Sequence, residues 1–167
     1  MATTAVTTGM MLVPLFDPLC RVSSSANGIY SLMSNINNFT SYPNIVVALK
    51  QMDIEASVRI LEKLIKELNI KHRTRTLEES LNLLKECIVN IENELSIVHE
   101  KMAYNSILKW KWIPFRSHKF AESISKLHMF KSQLDNRTHM LFNIIKTNND
   151  LMTRQNQNLA PDVSLFE

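Results

Sequence analysis

The chain has 167 residues, of which 45% are apolar and 21% charged, with two glycines, two cysteines and a formal net charge of +3. That length is about one domain, able to bury a core without staples. Scarce glycine beside abundant Leu, Ile, Lys, Glu and Asn is a helical composition, with no sheet expected. The charge is too mildly basic to indicate a nucleic-acid binder by itself.

From the N-terminus, residues 1–11 are Thr/Ala-rich and uncharged, which predicts a flexible end. The apolar patch Met10-Met11-Leu12-Val13 has no basic residue before it and runs into Pro14 and Pro18, so a secretory signal is not expected. No stretch approaches 18 uninterrupted apolar residues, so no helix is expected to span a bilayer by itself. Asp17-Pro18 reads as an N-cap followed by Pro at the first helical position. Leu19, Val22, Ala26, Ile29, Met33 and Ile36 then recur at helical spacing and predict a first helix over about 18–38. Its other faces carry Ser and Asn, with Arg21 as the internal charge. A solvent-facing helix normally carries more charge, so this one is expected to be enclosed or to lie against something other than water.

Asn, Thr, Ser and Pro cluster before Pro43 and predict a turn. A second helix is expected over about 44–69, with Ile45, Leu49, Met52, Ile54, Val58, Leu61, Ile65 and Leu68 inside and Ile60 and Leu64 widening the stripe. Lys71, His72, Arg73 and Arg75 follow, where cations complement the helix dipole or form an anion-binding end of a bundle. The third helix, over about 76–108, is the most strongly written. Leu77, Leu81, Leu84, Ile88, Ile91, Leu95, Val98 and Met102 alternate steps of four and three in one seam, and Thr76 with Glu79 fits a capping box. After the connection Lys109-Trp110-Lys111-Trp112-Ile113-Pro114-Phe115-Arg116, a fourth helix is expected over about 117–149 with Ser117 as its cap. Phe120, Ile124, Leu127, Phe130, Leu134, Leu141 and Ile145 form its apolar face, and Thr138 interrupts it in a way that shifts the stripe towards Met140 and Ile144. Residues 150–167 are polar and aperiodic and read as a tail or linker. The expected fold is all-α: an antiparallel up-down-up-down four-helix bundle over residues 12–149 with disordered termini.

Catalytic chemistry has no foothold here. The five His make no zinc-ligand spacing, Gly9 and Gly28 cannot build a phosphate loop, and nothing places a nucleophile beside a base. No enzyme activity, metal or cofactor is expected. Cys20 and Cys87 lack companions and read as reduced residues of a cytoplasmic protein.

The connection with Trp110 and Trp112 is the candidate site. Trp combines an apolar ring with an N–H, and Lys can extend its ammonium to headgroups. Lys109, Trp110, Lys111, Trp112, Arg116 and Lys119 therefore suit an anchor on anionic lipid. Two other readings stay open: both indoles could cap the end of the core, and basic residues among aromatics also suit single-stranded nucleic acid. For the latter no extended basic groove is evident, which leaves nucleic acid an unlikely partner.

Leu77-x3-Leu81 leading the third helix, Asn105-x-Ile107 near its end, the basic-aromatic loop to Phe115, and Phe120-x3-Ile124-x2-Leu127 opening the fourth helix resemble a known arrangement. It is the N-terminal four-helix bundle of the mixed lineage kinase domain-like family and its HeLo-type relatives in programmed cell death. The resemblance implies a module that binds anionic or phosphoinositide lipid peripherally at membranes, forms homo-oligomers on activation, and is controlled by a regulatory protein partner. No kinase, nucleotide-binding or repeat domain follows in this chain, which puts the usual control in doubt. Lipid contact would fall on Lys71, Arg73, Arg75, Lys109, Trp110, Lys111, Trp112, Arg116 and Lys119. The alternative is an interaction scaffold or regulatory adaptor whose groove takes a partner helix, without membrane activity.

Overall fold

A computed structural model describes residues 16–67, 74–108 and 119–158. All regular structure among them is helical: α1 (Phe16–Asn37), α2 (Pro43–Gln51), α3 (Ile54–Glu67), α4 (Arg75–Ile107) and α5 (Ala121–Asn158), without a strand. α2 and α3 are the two halves of one broken rod, so four rods enclose a single apolar core. α4 packs most extensively on α5 and α1; α1 also meets α3, while α2 and α3 touch α5 only lightly.

The α4 seam is what the spacing requires. All eight of its residues from Leu77 to Met102 are buried, and Cys87, Glu94 and Asn105 are buried beside them. Along its contact with α5, Lys101 Nζ donates to Ser123 Oγ at 3.5 Å, Cys87 Sγ donates to Gln133 Oε1 at 3.8 Å, and Arg137 Nη1 donates to the Leu83 carbonyl at 2.6 Å. Residue numbers rise on one helix as they fall on the other, so α4 and α5 run in opposite directions. α1 buries Val22, Ala26, Ile29, Met33 and Ile36, and its end is tightened by Asn38 N–H to Asn35 O and Phe39 N–H to Ile36 O bonds.

Several boundaries differ from the sequence expectation. α1 begins at Phe16, which puts Pro18 within its first turn, where the missing N–H costs nothing. The second helix is broken at Met52 and Asp53, and Asp53 adopts a left-handed φ of 52°. The cause lies in the apolar register: the step from Met52 to Ile54 is two, which a continuous helix would place on different faces. The break lets both be buried, and Asp is among the residues that tolerate this conformation. Leu68 and Asn69, which the expected helix included, lie outside the described residues.

α4 is capped by Thr74, not Thr76. Thr74 Oγ1 accepts the Leu77 N–H at 3.3 Å, and Glu79, expected to complete the Thr76 box, instead pairs with Arg75 Nε at 2.9 Å. α5 starts at Ala121, with the expected cap Ser117 outside the described residues, and continues to Asn158. The tail expected from residue 150 is thus helical as far as 158, because no Gly or Pro intervenes before Pro161. Residues 1–15 and 159–167, expected to be flexible end and tail, also lie outside the described residues. Of the two residues towards which the α5 stripe is expected to shift, Met140 is exposed, while Ile144 is partly buried and packs against the core. Thr138 Oγ1 donates to the Leu134 carbonyl at 2.7 Å, and the seam passes directly from Leu134 to Leu141.

α1 and α3 are joined by a polar clamp. The Tyr30 hydroxyl donates to Glu62 Oε2 at 2.9 Å, and the Arg59 guanidinium stands 5.9 Å from the Tyr30 ring centroid. Burial, then the Glu62 hydrogen bond and charge, push the Tyr30 phenol up to about 12, against the opposing pull of Arg59. A phenol raised in the folded state stabilises the fold fully below its ordinary value of about 10 and loses that contribution as pH rises through the folded value.

Two outcomes follow. Thr74→Ala should lower the unfolding free energy by about 1 kcal/mol while Thr76→Ala changes it by less than about 0.5 kcal/mol, measured by urea denaturation. Between about pH 10 and 12 the wild type should lose more stability than Tyr30→Phe; parallel pH curves for the two would contradict the clamp.

Candidate functional site

Of the expected lipid contacts, Lys71, Arg73, Lys109, Trp110, Lys111, Trp112 and Arg116 lie outside the described residues. Arg75 and Lys119 lie within them, and the structure does not bring them together. Arg75 is on the first turn of α4 and Lys119 stands just before α5, whose start lies beside the end of α4. Arg75 is 91% exposed and engaged with Glu79. Lys119 is exposed.

The end of the bundle from which residues 109–118 depart has a layered construction. Below is an aromatic layer: Tyr42 packs on Phe120 with ring centroids 5.4 Å apart, and Phe39 meets His99 edge-on at 5.7 Å. Phe120 and Met102 are buried there. The chain brings these residues together by ending each rod with an aromatic: Phe39 follows α1, Tyr42 precedes α2, and Phe120 precedes α5. Above that layer, on the last turns of α4, Tyr104 is 62% and Ile107 80% exposed.

Three lysines lie near this end. Lys119 is exposed, Lys101 reaches Ser123, and Lys126 pairs with Glu122 at 2.7 Å. The hydrogen bond and charge of Lys126, with smaller pulls from Lys101 and Lys119, hold the Glu122 carboxyl below its usual range. The same bond to Glu122 holds Lys126 above its own.

Tyr104 and Ile107 were not among the residues expected from sequence to act at the site. The signal was available: the seam advances from Met102 to Asn105, so Tyr104 and Ile107 fall off it. A large apolar residue off the seam at a helix end has no core to enter.

For other chemistry the described residues offer little. No group of His, Cys, Asp and Glu among them could hold a metal ion. Burial pushes the Cys87 thiol up, against the opposing charge of Arg137, so its reactive thiolate is disfavoured. No described helix is long and apolar enough to cross a membrane. No family model, no curated protein and no solved structure matches the chain.

If Tyr104 and Ile107 serve a surface role, Tyr104→Ser and Ile107→Ser should each shift the unfolding free energy by no more than about 0.5 kcal/mol. Met102→Ala, one layer below, should cost about 2–5 kcal/mol in the same denaturation assay.

Proposed function

We propose that this chain is a non-enzymatic helical-bundle module that binds anionic membrane lipid through the end bearing Tyr104, Ile107 and Lys119, and that it self-associates on the membrane. The observation that carries this reading is the exposure of Tyr104 and Ile107 at the end of the bundle where the ring pairs Tyr42–Phe120 and Phe39–His99 pack and Phe120 is buried. An exposed ring and an exposed branched aliphatic beside cations suit the interface between headgroups and acyl chains. The sequence Lys109-Trp110-Lys111-Trp112 continues from there with the same two residue classes.

The resemblance to the mixed lineage kinase domain-like bundle supports the same reading, and with it a cell-death or membrane-permeabilising role under a controlling partner. That reading takes the rods in up-down-up-down order, which the opposed α4 and α5 favour. It places the protein in the cytoplasm and peripherally at membranes.

A second reading, an interaction scaffold without membrane activity, draws on α1. Ser24, Asn27, Ser31 and Ser34 recur at helical spacing along its exposed face without a charge, which suits contact with another protein surface.

Co-sedimentation with vesicles containing phosphoinositide separates the two. The wild type should pellet with these vesicles and not with zwitterionic ones. Neutralising Lys109, Lys111, Arg116 and Lys119 together should weaken binding about a hundredfold or more, at about 1 kcal/mol per basic residue near the surface. Ile107→Ser should weaken it further. Binding that ignores these changes overturns the tip as the lipid contact; no pelleting, with a defined oligomer by mass measurement, favours the scaffold.

A further inference from the structure

Towards the other end of the bundle, α3 and α5 touch only lightly and leave an open groove of about 510 Å³. Ile60, Leu64 and Phe142 line it, and Ile60 and Phe142 are 61% and 52% exposed. At one end Ser57 Oγ donates to Asp135 Oδ1 at 3.0 Å, and Lys131 pairs with the other oxygen of the same carboxylate. That acid is therefore already neutralised. Thr138 gives its hydroxyl to its own helix, and the His139 ring meets the Asn143 amide at 3.2 Å.

Lys63 lines the groove and has no ion pair among the described residues. One turn further on, by helical register, Lys66 extends its row on α3 and Lys146 extends the row of Phe142 on α5, with Asp150 a turn beyond. The groove thus pairs an apolar bed with an exposed cation, Lys63, at its rim. From Ser57 to Leu64 it is about two helical turns long, roughly 11 Å. Its volume falls within the range of about 300–1,000 Å³ usual for small-molecule sites.

We infer that the α3/α5 groove binds a small anionic amphiphile free in solution, with a short apolar body on Ile60, Leu64 and Phe142 and a carboxylate at Lys63. The length excludes a long acyl chain lying fully inside, and the cation favours an anion over a neutral ligand of equal size. This goes beyond the lipid-surface reading and uses none of its residues.

The test uses the full chain and decanoate below its aggregation concentration, followed by amide chemical shifts. Shifts should be confined to residues 57–64 and 135–142 and should saturate. Lys63→Glu should weaken decanoate binding about tenfold, the scale of one charge-assisted contact, while 1-decanol should bind the wild type about tenfold more weakly than decanoate. No saturable shifts, shifts centred on Tyr104, Ile107 and Lys119, or equal affinity for decanol and decanoate would each overturn the inference. The decanol comparison needs no variant, so it stands even if Lys63→Glu fails to fold. Vesicle binding is a separate readout, and either result can fail without the other.

Discussion

The unbroken apolar seam of α4 is the constraint on which the rest of this structure depends. Eight seam residues from Leu77 to Met102 are buried, and the helix carrying them contacts both α1 and α5 extensively. At roughly 1.5–3 kcal/mol for each large apolar side chain fully buried, this one stripe contributes more than the buried residues of any other helix among the described residues. α3 has no comparable contact with α4; it is held through α1, by the core residues Val58, Leu61 and Ile65 and by the Tyr30–Glu62 clamp. The bundle is therefore uneven: tight around α4 and loose where α3 faces α5. The groove is a direct consequence, since two rods fixed to different neighbours need not close on each other.

Polar contacts across the helices set register more than they add stability. Arg137 illustrates this by donating to the Leu83 carbonyl at 2.6 Å and standing 3.3 Å from Cys87 Sγ. Neutral bonds of this kind are worth about 0.5–1.5 kcal/mol each and those to a charged group about 1.5–3 kcal/mol, in total well below the eight residues of the seam. They are directional, however, and a helix slid by one turn would lose them all. Gly28 adds a steric condition of the same kind: a Cβ there would meet the Glu92 carboxylate across the α1–α4 contact.

How much of this was legible in the sequence depended on whether a signal was periodic or a choice between neighbours. The α4 seam and the inward faces of α1 and α5 repeat over many turns, so local ambiguity averages out. The break in the second rod was written as the two-residue step from Met52 to Ile54, yet a continuous stripe widened by Ile60 looked equally helical; in the structure Ile60 is exposed. The cap went to Thr74 rather than Thr76 because Glu79 had two available partners, and Arg75 took it. No local pattern ranks those pairings. The end of α5 was misjudged for a different reason. Polar composition points to a tail, but a helix without Gly or Pro can continue on backbone hydrogen bonds alone, and Thr153 is accommodated in it with its hydroxyl donated to the Asn149 carbonyl at 3.0 Å. As for the candidate site, the basic-aromatic run is visible as composition, while Tyr104 and Ile107 are passed over by a reading that follows only the buried seam of the helix carrying them.

The end of α4 sharpens what the lipid reading requires. No basic residue lies in its last turn, so the negative end of its dipole is not offset from within the helix. A cation placed there gains about 0.3–1 kcal/mol, close to the roughly 1 kcal/mol that a basic residue gains beside an anionic surface. Lys109 follows α4 directly in sequence and is the residue for which these two attractions compete. A lysine held by the helix end adds little to lipid affinity, because binding must first release it. Under the lipid reading Lys109 is therefore expected to contribute least to the electrostatic attraction, with Ile107 and Tyr104 supplying the apolar contact that makes the surface more than a basic patch.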